Sequence, residues 1–152
     1  MDDRDRSARP SSEHEEAIRQ LVQERVDAVR AKDVGPLVAR PVDDVVLFDA
    51  LPPLMSRGRA SLNGTTQSWF DGYASDIGYE VSDLEIRADD RLGFCSFAYH
   101  VSGTLQSGDE VDMWVRATLC CERVEGSWRI VHDHESVPFD PQTGQAVISL
   151  AP

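Results

Sequence analysis

The chain has 152 residues, 41 % hydrophobic and 28 % charged, enough for one domain with its own core and no need of metals or disulfides. With 27 acidic residues against 15 Lys and Arg, its formal charge is −12, which repels phosphate backbones and anionic lipid and argues against nucleic-acid and membrane partners. No apolar run reaches membrane-spanning length and the charged start MDDRDRSARPSS lacks a signal-peptide core, so the expectation is a soluble, cytoplasmic protein.

Residues 1–12 contain no Leu, Ile, Val or Phe and are expected to form a disordered tail ahead of a single domain over 13–152. Ser12 followed by Glu15 has capping-box spacing. Ile18, Leu21, Val22, Val26 and Val29 then make one apolar stripe, which predicts a helix over 13–31. Asp33 caps a second, short helix that carries Leu37 and Val38 inward and ends before Pro41. Residues 45–49 read as a short buried strand broken by Pro52-Pro53, and residues 60–74 as a third helix with Leu62, Trp69, Phe70 and Tyr73. From residue 77 the pattern becomes β. Segments 78–88, 91–105, 110–124 and 127–137 are separated by turn signals at Asp89-Asp90, Ser107-Gly108-Asp109 and Glu125-Gly126. Helices first and hairpin-linked strands afterwards make an α+β domain, a curved antiparallel sheet packed on about three N-terminal helices. Val147, Ile148 and Leu150 are expected to dock on its body.

Three cysteines cannot all pair with one another. Cys120 and Cys121 are adjacent, so in a strand they point to opposite faces. Neither a CxxC spacing nor a Cys/His metal pattern is present, and free buried thiols in a reducing compartment are expected.

The element order, with the local sequences Phe48-Asp49-Ala50-Leu51-Pro52-Pro53, Met113-Trp114-Val115-Arg116-Ala117-Thr118 and Trp128 through Asp140, resembles the nuclear transport factor 2-like superfamily and its SnoaL-like and ketosteroid isomerase-like members. The resemblance covers residues 13–150 and implies a cone-shaped sheet, an enclosed pocket for a small hydrophobic or aromatic ligand, no cofactor, and a homodimer formed through the exposed sheet face. It places Asp49 where ketosteroid isomerases keep their general base, and puts Arg25 and Thr118 where those enzymes keep the oxyanion pair. Without those donors steroid isomerisation is not expected.

Three residues are candidates for catalysis: Asp49, His132 and His134. A carboxylate leaving a strand between Phe48 and the apolar residues 50–54 is expected to be partly desolvated, which raises its pKa and makes it a better base. The alternative for Asp49 is a turn residue capping backbone amides. His132 and His134, two apart on one strand, could shuttle a proton, anchor a ligand or sit at an interface; a metal would need a third ligand that the sequence does not offer. A two-residue turn at Glu125-Gly126 puts both histidines on the apolar face with Trp128 and Ile130, and sets Arg116 opposite Glu135 on the other face. The ketosteroid isomerase register instead turns Thr118 and Val131 inward, and a one-residue slip reverses every side chain. The apolar pattern favours the histidines inside. Trp69, Tyr73, Tyr99, Trp114 and Arg116 are the candidate substrate contacts, the aromatics as pocket wall or core and Arg116 as a clamp for a ligand anion if it faces inward.

The functional expectation is a cofactor-independent acid/base enzyme, isomerase- or cyclase-like, acting on a polyketide-like or other carbonyl metabolite. The rival is a non-catalytic ligand-binding or assembly protein of the same fold. An epoxide hydrolase on this scaffold would require an Asp–Arg–Asp type relay, which the sequence alone does not assemble.

Overall fold

The structure is a computed structural model and describes residues 12–152; the expected tail, apart from Ser12, lies outside the described residues. Helix α1 (Glu13–Ala31) opens on the expected capping box. Ser12 Oγ accepts from the Glu15 amide at 3.1 Å, and Glu15 Oε2 accepts from the Ser12 amide at 3.2 Å. Lys32, in the left-handed conformation at φ 51°, ends the helix. Asp33 then caps α2 (Val34–Ala39) through the Gly35 amide at 2.9 Å.

Strand β1 (Pro41–Phe48) begins earlier than residue 45, because Pro41 both stops α2 and takes the first strand position, where its missing N–H is tolerated. After the short β2 (Ser56–Arg57) and α3 (Arg59–Asp71) come four long strands: β3 (Gly78–Ala88), β4 (Leu92–Thr104), β5 (Glu110–Val124) and β6 (Ser127–Ser136). They form one six-stranded sheet in the order β2-β1-β6-β5-β4-β3. The last four strands are antiparallel as expected, but β1 runs parallel to β6, so the sheet is mixed. It is curved and unclosed. Register shifts between Ser82 and Glu85 in β3 and at Cys120/Cys121 opposite β6 supply bends, since an extra residue on one strand sharpens local twist.

The core lies between the concave face of the sheet and α1. Ile18, Leu21, Val22, Val26 and Val29 meet alternate residues of the strands, among them Tyr79, Phe97, Leu119, Trp128 and Ile130. The helix approaches the sheet so closely that a Cβ at Gly93 would fall 2.6 Å from Ile18 Cδ1. Cys95 and Cys121 are buried free thiols in this core, and burial pushes each up to about 12; Cys120 faces the other way. Beyond β6 the C-terminal segment docks through its backbone, Ile148 O accepting from Trp114 N at 2.8 Å, while Ile148 and Leu150 keep exposed side chains. No described helix is long and apolar enough to cross a membrane.

Candidate active site

The pairing of β5 with β6 decides which side chains face the concave side. The hairpin closes as expected, on Glu125 and Gly126 at φ 49° and 82°, with Val124 opposite Ser127 and Cys121 opposite Ile130. The next pair is Cys120 with His132, so Val131 is an extra residue and the alternation reverses. Trp128 and Ile130 point inward before the bulge, and Asp133 and Glu135 point inward after it, opposite Leu119 and Ala117. Neither register considered from sequence holds along the whole strand.

The consequence is a buried ionic cluster that the candidate residues do not include. Arg25 projects from the apolar stripe of α1, and all three of its guanidinium nitrogens are engaged. Nε donates to the Tyr79 hydroxyl at 3.1 Å, Nη1 to Asp133 Oδ2 at 2.8 Å, and Nη2 to Glu135 Oε1. The side chains of Asp133 and Glu135 are only 14 % and 13 % exposed. Two carboxyl groups thus share one guanidinium in a mostly buried setting. Burial first, then the Asp133 charge, push the Glu135 carboxyl up to about 8; Asp49 adds to the rise, while Arg25 and a hydrogen bond from Tyr99 oppose it. Tyr79 and Tyr99 stack at 4.6 Å between ring centroids, and burial raises both phenols. Asp133 Oδ1 is buried and has no hydrogen-bond partner among the described residues.

This cluster forms the polar end of an open-mouthed cavity of about 510 Å³ lined by residues of the three helices and the sheet. Leu21, Val29, Leu37, Leu47, Met113 and Val115 give it an apolar wall, and Trp69, Tyr73 and Tyr99 also line it. Arg40 and Glu24, paired at 2.7 and 2.8 Å, close one side. Residues 50–53 form part of the rim.

The other candidates stand elsewhere. Asp49 lines the rim but is exposed, not desolvated; its Oδ1 accepts from the Leu51 amide at 3.1 Å, the turn-capping contact. His132 and His134 face the convex side instead of the concave one. His132 Nδ1 lies 2.8 Å from Val46 O, and Phe48 packs edge-on against both imidazoles at 4.7 and 5.4 Å. Thr118 pairs with His134 and faces outward with it. Trp114 and Arg116 are also on the convex face. Trp114 stacks on His100 at 5.0 Å, and Arg116 donates to Ser136 Oγ at 3.2 Å, not to Glu135, because the bulge shifts its partner by one residue. Among the described residues no three His, Cys, Asp or Glu side chains are grouped so as to hold a metal ion.

One signal for the cluster was present in the sequence. Arg25 interrupts the stripe Leu21-Val22-Val26-Val29, and a cation on an apolar helix face calls for a buried counter-charge. The acidic pair Asp133-x-Glu135 was the available partner.

Among curated proteins none matches the chain significantly. Solved structures do. An NTF2-like protein of unknown function from Pseudomonas putida KT2440 is 28 % identical, with a TM-score of 0.85 over 93 % of this chain and 99 % of that one. A ketosteroid isomerase-like protein from Erwinia carotovora atroseptica is 20 % identical, with a TM-score of 0.71 over 83 % and 97 %. A nuclear transport factor 2 superfamily protein from Salmonella enterica Typhimurium is 14 % identical, with a TM-score of 0.74 over 88 % and 96 %. The last two speak for the fold alone. Residues 18–140 match the family model of the SnoaL-like domain, and the chain belongs to that family.

Proposed function

We propose that this protein is a cofactor-independent acid/base enzyme, an isomerase or cyclase acting on a polyketide-like or other carbonyl metabolite held in the cavity. The observation that carries the reading is the Arg25-bridged pair: one carboxyl that keeps its proton near neutrality beside another with a free, buried oxygen. In this reading Asp133 Oδ1 takes a proton alpha to a carbonyl, and the protonated Glu135 donates to the carbonyl oxygen as negative charge develops there. The Arg25 charge, held in a largely apolar cavity, supports the enolate-like state. Asp49 at the rim adds negative charge near Glu135 and favours its proton-bound form. The carboxylate–guanidinium–carboxylate order of Asp133, Arg25 and Glu135 also suits a second reading, hydration of an epoxide or loss of water, with Asp133 activating the water.

Deuterium wash-in tests the first reading without the natural substrate. 2-Tetralone in D2O, followed by NMR, is expected to exchange its C1 protons faster with the protein than in buffer, and Glu135→Gln or Asp133→Asn to lose about 100-fold or more of that acceleration. Bound tetralone with no accelerated exchange would leave a ligand-binding protein. Assembly as a homodimer through the convex face, around Trp114 and His100, is part of the proposal; a monomer in sedimentation velocity at micromolar concentration would sink it.

A further inference from the structure

The charges that border the cavity cancel in pairs, with one exception. Its lining carries two cations, Arg25 and Arg40, and four acids, Glu24, Asp49, Asp133 and Glu135. Arg40 holds Glu24 through two donors, at 2.8 Å from Nε and 2.7 Å from Nη2. Arg25 holds Asp133 at 2.8 Å. Glu135, on the other arm of Arg25, is kept protonated into neutral pH by burial and then by the Asp133 charge, so it adds no charge there. Asp49 remains. It forms no ion pair among the described residues, and the bond from the Leu51 amide to its Oδ1 fixes the carboxylate at the rim. Its charge is felt inside: after burial and Asp133, Asp49 adds to the rise of the Glu135 carboxyl.

We infer that the cavity takes a ligand with a carbonyl at its buried end and an ammonium group at its outer end, set against Asp49, and discriminates against the corresponding carboxylate. The two ends ask for different chemistry. The buried end is already balanced, so a further charge there would sit in a mostly apolar cavity without a counter-ion. At the rim a cation keeps part of its hydration while it meets an opposite charge. An anion would meet Asp49 first and find both lining cations already paired. The wider field acts the same way: a formal charge of −12 draws cations towards the mouth and repels anions. Between the two ends, Leu21, Leu47, Val115 and Trp69 suit a ring system. The inference narrows the substrate class of the proposed reaction to amine-bearing carbonyl compounds. It rests on the cavity being the ligand site, as proposed above, but not on turnover.

Calorimetry on the full chain at pH 6.5 tests it with three matched probes: 2-acetonaphthone, its 6-aminomethyl derivative, a cation at that pH, and its 6-carboxylate derivative. At about 20 mM salt the cation is expected to bind about fivefold tighter than the neutral ketone and the anion about fivefold weaker, as an ion pair in contact with water gives. Both differences should shrink at about 300 mM salt, where charges at the rim are screened. Asp49→Asn is expected to bring the cation to within about twofold of the neutral ketone, with the ketone's own affinity little changed as the control for an intact cavity. A cation bound no tighter than the ketone, or an anion bound as tightly, would overturn the inference from the native protein alone. A cation preference undiminished in Asp49→Asn would belong to the field of the whole surface and overturn the assignment to Asp49. Binding by none of the three at millimolar concentration would overturn it as well. A failed preference with the ketone still bound leaves the acid/base reading standing on its deuterium test, and lost wash-in with the preference intact would sink that reading alone.

Discussion

Replacing Arg25 by Met is expected to destabilise the protein by about 3–5 kcal/mol at pH 7.5, because it leaves the Asp133 carboxylate without its counter-charge and Glu135 without its guanidinium partner. For a chain of this size that is a fall in melting temperature of about 10 °C, read by calorimetry. The loss should be smaller at pH 5, where a buried carboxylate that has lost its cation can take up a proton. The triple variant Arg25→Met, Asp133→Asn, Glu135→Gln should recover most of the stability, since it removes the cluster's charges and not one partner alone. A single variant that melted like the native protein at both pH values would mean that the guanidinium is not the cluster's keystone.

Glu135→Gln is expected to remove the pH response at this site. The Glu135 carboxyl keeps its proton in the folded chain up to about 8, whereas in the unfolded chain it releases it near 4.5. Between those values the folded state binds more protons than the unfolded one, so the contribution is fully present below about 4.5 and is lost as pH rises through about 8. The native protein should therefore lose melting temperature relative to Glu135→Gln between pH 5 and 8.5, by about 5–10 °C, and the difference should be flat above pH 9. The catalytic profile follows the same proton. A rate that depends on protonated Glu135 should fall as pH rises through about 8, and in Glu135→Gln that limb should vanish. A native-minus-variant difference that rose with pH would contradict a raised carboxyl in this position.

The elements were legible because each carries a local physical signature. The apolar stripe and capping box define α1, Asp33 and Pro41 bracket α2, and Glu125-Gly126 closes the last hairpin where a tight turn demands positive φ. Trp69, Tyr73 and Tyr99 were offered by the sequence as either pocket wall or core; Trp69 lies on α3, Tyr73 just past its end, and all three line the cavity. The inward-facing acidic pair was not legible, for one reason. A bulge at Val131 inserts one residue into an otherwise regular strand, and nothing in the identity of Val131 marks it, since Val suits a paired position equally well. That single residue exchanges His132 and His134 for Asp133 and Glu135 on the concave face, and moves the partner of Arg116 from Glu135 to Ser136. The parallel pairing of β1 with β6 was likewise hidden, because strand order depends on contacts far apart in the chain. The one long-range clue available was electrostatic: Arg25 in an apolar stripe implies an acid across the core, and only the 133/135 register supplies it.

The account turns on a carboxyl that stays protonated near neutral pH beside an ionised one. The most direct measurement is the NMR titration of the Glu135 side-chain carboxyl carbon in the native protein, assigned by its absence in Glu135→Gln. A midpoint close to 8 that falls when Asp133 is replaced by Asn is the predicted result. A midpoint near the ordinary 4.5 would mean that Glu135 is ionised like any surface carboxylate, and the acid half of the proposed chemistry would be lost.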